Sequence, residues 1–200
     1  MTFKILLIFI VLSLLACSGK IKDEISETDK IIDAKSMKEL NFNEYKVNKG
    51  QIGEIKIGMK ISSLKNELSK FTKQQVGAYD FGFDGGGEAF LYSYNNEPVF
   101  ALVPAYETDS IIAIIGLHKN LIFKSGFQIG MTVKEILKFQ PNCTINLNLM
   151  SEWEEIYDDK NDFILVFITD EENRIGKYIA INESSKPINL NPKLTWVTIW

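Results

Sequence analysis

The sequence is poor in the residues that most often build metal and redox sites. Its 200 residues include two cysteines and one histidine, His118, so a zinc site built from several histidines is not expected. Two cysteines are too few for the disulfide framework of a small secreted domain. No cofactor-binding motif is present, and we expect no cofactor.

The sequence also lacks an excess of basic residues. Its 22 Lys and Arg stand against 26 Asp and Glu, which gives a formal net charge of −4. Binding to nucleic acid depends on neutralising phosphates with Lys and Arg, so nucleic acid is not an expected partner. The acidic balance also gives no attraction to an anionic lipid surface, and any membrane attachment must come from another feature.

A long apolar run is missing as well. The run from Ile5 to Ala16 has twelve residues, whereas a membrane-spanning helix needs about 20. It follows Lys4 and ends at a small residue, which is typical of a secretory signal peptide covering residues 1–16.

The residue after this run is Cys17, and the stretch LLAC resembles the lipobox of bacterial lipoproteins. The resemblance implies that Cys17 becomes the acylated first residue of the mature chain. Ser18 stands where an Asp would retain a lipoprotein in the inner membrane, which implies anchoring in the outer membrane. Several acyl chains on one residue are enough for a stable attachment to the bilayer. The alternative is an ordinary cleavage site with an unmodified Cys17.

Residues 17–49 are rich in charge and serine, and their apolar residues are scattered. This composition predicts a polar tether. The folded body is predicted to cover residues 50–200.

A motif occurs twice in this body. Ile57-Gly58-Met59 returns 72 residues later as Ile129-Gly130-Met131. Apolar residues at helical spacing follow each triplet, and in the second copy Thr132 and Glu135 have the spacing of a capping box. The triplet is therefore interpreted as a helix-start signal in a duplicated structural unit.

Three apolar segments follow each predicted helix, which predicts an α+β fold made of two tandem units, residues 50–122 and 123–200. Each unit is expected to be one helix followed by an antiparallel meander, and Leu91–Tyr94 is aligned with Phe163–Val166. In the second unit KYIAI and LTWVTIW are predicted strands. Units of roughly 70 residues bury little core alone, so the two sheets are expected to pack together or to join.

Gly-Met-Thr followed by a helix and a strand meander resembles the small outer-membrane lipoproteins of the SmpA/OmlA (BamE) family. The tandem copies resemble the arrangement of beta-lactamase-inhibitor-protein-like (BLIP-like) proteins. Relatives of this design are scaffolds or binding modules. The resemblance therefore implies a non-catalytic envelope protein and brings no catalytic residues.

Aromatic residues on the predicted strands are the candidate contacts for a protein or other envelope partner. Side chains alternate along a strand, so Tyr92 and Tyr94 share a face, as do Trp196 and Trp200. Tyr and Trp often anchor interfaces, and we predict that Tyr92 and Tyr94 are partly exposed. The alternative is that these faces meet in a core between the two units.

Two acidic regions leave other functions open. In the glycine-rich stretch YDFGFDGGGEAF, Asp80, Asp84 and Glu88 could bind calcium, although a turn or bulge also explains the glycines. A second acidic run predicts a solvated hairpin, and its members are Glu152, Glu154, Glu155, Asp158, Asp159 and Asp162. A small hydrolase using carboxylates from either region is the alternative to a binding module.

Overall fold

The computed structural model describes residues 39–180 and 183–200, and these are mostly β. The predicted α+β fold class is wrong. The strands form one sheet of four and one of eight, and the two α-helices of the described residues, α1 (Lys65–Leu68) and α2 (Val133–Ile136), have four residues each. The apolar spacing after the first triplet is divided between a 3-10 turn, Ile61–Ser63, and α1. None of the helices described is long and apolar enough to cross a membrane.

The eight-stranded sheet joins the two units edge to edge. All its neighbouring strands are antiparallel. In spatial order they are β4 (Thr72–Gly77), β5 (Glu88–Tyr94), β6 (Glu97–Pro104), β7 (Ile111–Gly116), β12 (Trp196–Ile199), β11 (Phe163–Phe167), β10 (Glu154–Asp158) and β9 (Asn146–Leu147).

The four-stranded sheet begins inside the predicted tether. Its order is β3 (Ile55–Lys56), β2 (Gln51–Ile52), β1 (Lys46–Asn48) and β8 (Ile122–Phe123), with β1 and β8 parallel. Leu40, Tyr45 and Val47 are buried. The predicted boundary at residue 50 therefore lies within the folded body, which includes residues from at least Leu40 onward.

Both faces of the eight-stranded sheet carry buried apolar side chains. On one face Phe100, Leu102 and Val197 share a large core with the small sheet and α2. On the other face a smaller core surrounds Trp153 and Trp196. Apolar side chains on both faces explain why the strands have continuous apolar runs rather than a simple alternation.

The duplicated triplets make the same contacts. The Gly58 amide donates to the Ile111 carbonyl (2.8 Å), and the Ile111 amide donates to the Met59 carbonyl (2.9 Å). Gly130, Leu194 and Met131 repeat both bonds at 2.9 and 2.8 Å. Gly58 has φ +84° and Gly130 φ +88°, a conformation that costs glycine little and other residues much more. The positive φ therefore explains why a glycine stands in both copies of the triplet.

The predicted capping box of α2 is confirmed. Thr132 Oγ1 accepts from the Glu135 amide at 3.3 Å, and Glu135 Oε2 accepts from the Thr132 amide at 2.8 Å. The bonds that the Thr132 amide and then the Thr132 hydroxyl donate to the Glu135 carboxylate hold the pKa of Glu135 below its usual range. In the first copy Lys60 makes no capping bond with its side chain.

A local two-fold axis relates the units at their junction. Because Ile111 corresponds to Leu194, Ile115 corresponds to Thr198, and these two residues pair with each other. Counting outward from this pair, β5 corresponds to β10 and β6 to β11. The predicted alignment of Leu91–Tyr94 with Phe163–Val166 is wrong, since those residues belong to β5 and β11.

The last connections of the two units differ in length. Six residues, 105–110, join β6 to β7, and 28 residues, 168–195, join β11 to β12. The predicted strand KYIAI falls in the longer connection, and its described residues, 177–180, are not a strand. The meander of the second unit instead contains β10, which lies in the predicted solvated hairpin. The two outermost strands of the sheet, β4 and β9, were not predicted either.

Candidate functional site

The aromatic residues predicted to contact a partner are divided by their burial. Tyr92 is 2% exposed and Trp196 is 4% exposed, so both belong to the core, and the predicted exposure of Tyr92 is wrong. Tyr94 is half-buried, and Trp200 is 44% exposed. Burial raises the pKa of Tyr92 to about 12.

Tyr92 is buried by side chains from segments that were predicted as helix and tether. Its ring stacks on Phe100, with the centroids 5.3 Å apart, and Phe71 meets it edge-on at 6.5 Å. Tyr45 packs in turn on Phe71 at 5.5 Å. The alternation along β5 identified the face correctly but gave no information about what covers it.

The acidic strand β10 holds the most unusual polar group of the fold, the fully buried carboxylate of Glu154. Oε1 accepts from the Gly176 amide (2.8 Å) and the Tyr178 hydroxyl (2.6 Å). Oε2 accepts from the Ile175 amide and the Thr169 hydroxyl, both at 2.7 Å. Burial, and then the bond to this carboxylate, raise the pKa of Tyr178.

Glu155 points to the other face of the sheet and is also buried. Its Oε1 accepts from Trp153 Nε1 at 2.6 Å and from Asn148 Nδ2 at 2.9 Å, and its Oε2 accepts from the Tyr157 hydroxyl at 2.8 Å. Burial, and then this bond, raise the pKa of Tyr157 to about 12. A cavity of about 150 Å³ lies beside these groups, bordered by Trp200 and Phe83.

The prediction of a solvated hairpin is wrong for Glu154, Glu155 and Asp158, which are buried on β10. Glu152 and Asp159 are exposed, and Asp162 is half-buried. The carboxylates of Glu154 and Glu155 are structural. Every oxygen of Glu154 and Glu155 accepts from at least one neutral donor. Buried charges of this kind are retained only when their hydrogen bonds are satisfied. A carboxylate surrounded in this way is not positioned to take a proton from a substrate.

The other predicted polar residues do not converge. Asp80 and Asp84 are exposed, and Glu88 is exposed and accepts from Gln75 Nε2. Within residues 39–180 and 183–200, no three His, Cys, Asp or Glu side chains are close enough to hold a metal ion. Cys143 is half-buried, and burial raises the pKa of its thiol. Cys17 lies outside the described residues.

An open groove lies at the outer end of the first unit, between α1 and the sheet. Its volume is about 420 Å³, and its apolar lining consists of Ile61, Leu68, Phe71, Phe90 and Tyr92. Lys73 places its ammonium 3.6 Å from the centroid of the Phe90 ring, a cation–π contact. The predicted contact residue Tyr94 packs edge-on against Phe71 at 6.3 Å. We call this surface the unit 1 groove.

On the other side of the rim, Asp109 accepts from the Ser62 amide at 3.1 Å. Hydrogen bonding to Ser62 lowers the pKa of Asp109. Lys65 also lines this rim.

The strand beside the unit 1 groove has an open outer edge. β4 ends the eight-stranded sheet, and no other strand of the described chain pairs with its outer side. The Ala78 amide bonds to the Gly87 carbonyl and so points toward β5. Backbone N–H and C=O groups alternate in direction along an antiparallel strand. The N–H and C=O groups of residues 73, 75 and 77 therefore point outward, away from β5.

The corresponding surface of the second unit is filled by its longer connection. Ser185 pairs with Ile145 through two hydrogen bonds of 2.8 Å. Farther along, the Leu190 carbonyl accepts from the Lys134 amide at 3.1 Å. Ile175 is fully buried, and Tyr178 and Leu190 pack against the core. We call residues 175–180 and 183–190 the insert.

The unit 1 groove is therefore the candidate functional site, since it is the place where the duplicated scaffold lacks the cover that its copy has. The sequence reveals the longer connection in the second copy. It does not reveal that the insert covers the sheet, because that depends on hydrogen bonds to Glu154 and Ile145.

The sequence matches no protein-family model and no curated protein. The fold is similar to that of the uncharacterized protein yfeY from Escherichia coli, with a TM-score of 0.52 and 12% sequence identity. The similarity covers 77% of this chain and 98% of that one. At this identity the likeness concerns the fold alone.

Proposed function

We propose that the protein is a lipid-anchored, non-catalytic binding module of the bacterial cell envelope. Acylated Cys17 attaches it to the outer membrane, and the body that begins near Leu40 binds a protein partner through the unit 1 groove. The observation that carries the binding role is this groove, which is apolar, open and bordered by a free sheet edge. Such edges and apolar grooves are common sites of protein recognition.

The buried acidic strand supports a binding role over hydrolysis. Glycoside cleavage by carboxylates needs a general acid and a base or nucleophile facing the substrate from two sides. Glu154 and Glu155 point to opposite faces of the sheet and are engaged by neutral donors. No observation in the described residues favours the hydrolase alternative.

The anchoring is tested by fractionating cells that express Cys17→Ser. The variant is expected to leave the membrane fraction or to accumulate as the unprocessed precursor, with no incorporation of labelled fatty acid. Unchanged fractionation and labelling would contradict the lipid anchor.

The binding role is tested by photo-crosslinking in intact cells. A photoreactive amino acid in place of Lys65, on the rim of the groove, is expected to give a discrete crosslinked product. The same amino acid in place of Lys119, which is exposed and does not line the groove, is the control. Equal products from both positions, or none from Lys65, would contradict a contact surface at the groove.

A further inference from the structure

We propose that the outer edge of β4 and the unit 1 groove bind an extended segment of a partner protein as an added strand. The second unit provides the analogy for this complex, because there the insert occupies the corresponding surface. The inference rests on the proposed binding function and specifies the form of the partner.

The two edges correspond residue by residue. Phe90 of β5 pairs with Leu102, and Ile156 of β10 pairs with Leu165. Leu102 and Leu165 are equivalent residues of β6 and β11, so Phe90 and Ile156 are equivalent as well. On the outer side, Gln75 pairs with Phe90, and the register of β9 with β10 brings Ile145 opposite Ile156. Gln75 therefore takes the place of Ile145, whose main chain binds Ser185 of the insert.

The anchoring carboxylate is also present in both units. Glu88 precedes Phe90 by two residues, as Glu154 precedes Ile156. In the second unit this carboxylate accepts from two consecutive amides of the insert, those of Ile175 and Gly176. In the first unit Glu88 is exposed beside the open groove and accepts from the side chain of Gln75. A bound segment could use Glu88 as the insert uses Glu154.

The side chains of the groove specify the partner further. Leu68 and Phe90 are half-buried apolar side chains of the groove, so they favour apolar residues in the bound segment. Lys65 and Lys73 on the rim favour an acidic residue, since charge complementarity selects partners. A second copy of this chain fits less well, because pairing β4 with β4 would bring the lysines of both copies to one surface, and like charges across strands are destabilising.

The test uses a labelled peptide with the sequence of residues 174–190, RIGKYIAINESSKPINL, and the chain from residue 18 to 200. Fluorescence anisotropy is expected to show saturable binding. Gln75→Pro should weaken it about tenfold or more, because proline removes an outward amide and the inward bonds of β4 remain. Glu88→Ala should weaken it to a similar extent.

A second peptide sharpens the test of the charged rim. In the insert Lys186 donates to the Asn142 carbonyl, next to the position that corresponds to Lys73. A peptide carrying Lys186→Glu is therefore expected to bind the unit 1 groove several-fold more tightly than the unchanged peptide. Asp84→Asn, on the exposed glycine-rich loop, is the control and should leave both affinities unchanged.

Circular dichroism of each variant checks that the sheet is intact. Absence of saturable binding, or equal binding by Gln75→Pro and the unchanged chain, would overturn the added-strand inference. The proposed function would survive that result if Lys65 crosslinking still captured a partner. Sedimentation as a dimer that Gln75→Pro dissociates would overturn the inference in favour of a second copy.

Discussion

The outer ends of the two units consist of equivalent strands, β4 and β5 in the first unit and β9 and β10 in the second, and differ in what covers them. In the second unit the insert lies on the sheet, Glu154 is buried, and Ile145 is fully buried. In the first unit the equivalent positions are Glu88 and Gln75, both exposed. The difference teaches that one long connection changes a surface into a core, and that the residues beneath it change in polarity accordingly.

The largest effect is expected from removing the two equivalent carboxylates. Glu154→Ala leaves two buried amides and two half-buried hydroxyls without their acceptor, and we expect the free energy of unfolding to fall by about 4 kcal/mol. Glu88→Ala removes an exposed group and should change it by less than about 0.5 kcal/mol. Urea denaturation of both variants measures the difference, and similar losses would contradict the described difference in burial between the two carboxylates.

A smaller loss is expected from the apolar anchor of the insert. Ile175 is fully buried, and Ile175→Ala should cost about 3 kcal/mol through lost contacts and the cavity left behind. Ile179 belongs to the same connection and is 89% exposed. Ile179→Ala is therefore the matched control, with an expected change within about 0.5 kcal/mol. Thermal melting of both variants measures the difference. Equal melting temperatures would show that Ile175 does not anchor the insert in the core.

Alkaline pH tests the floor of the unit 1 groove. Burial raises the pKa of Tyr92 to about 12, above the value of about 10 in the unfolded chain. Its contribution to stability is therefore complete below pH 10 and is lost as the pH rises through about 12. We expect Tyr92→Phe to move the midpoint of alkaline unfolding to higher pH, as followed by circular dichroism and tyrosinate absorbance. An unchanged midpoint would show that Tyr92 does not resist ionisation.

The smallest effects concern the two helix starts. Thr132→Ala removes the capping box of α2 and should cost about 1 kcal/mol. Lys60→Thr introduces a capping hydroxyl in the first copy, where the backbone at Lys60 is already extended, and should stabilise by about 0.5 kcal/mol. Thermal melting of both variants measures these changes. A lower stability of Lys60→Thr would show that a hydroxyl at this position does not cap the first helix start, although the backbone there is extended as at Thr132.

The sequence predicted the features that depend on local contacts. The Ile-Gly-Met repeat and the capping box of α2 both involve residues close together in the chain. β10 was missed because Glu154 and Glu155 are charged, and charged residues are seldom buried. Their burial depends on partners such as Ile175 and Tyr178, about 20 residues farther along, which no periodicity reveals.

The same limit explains the candidate site. The prediction for Tyr92 identified the correct face of β5, but it could not include Phe71 and Tyr45, which cover that face from other segments. The unit 1 groove is defined by the absence of a cover that the second unit has. It becomes visible only when the two copies are superimposed through their strand pairing.

The two-fold axis between Ile115 and Thr198 has a consequence for the origin of the chain. Two identical half-length polypeptides could pair their last strands in the same way and form a symmetric dimer with a continuous sheet. Covalent fusion of such halves makes their meeting independent of protein concentration. In a symmetric dimer every mutation affects both subunits, whereas in a fused chain it affects one half only. One half could therefore gain an extension while the corresponding surface of the other half stayed open.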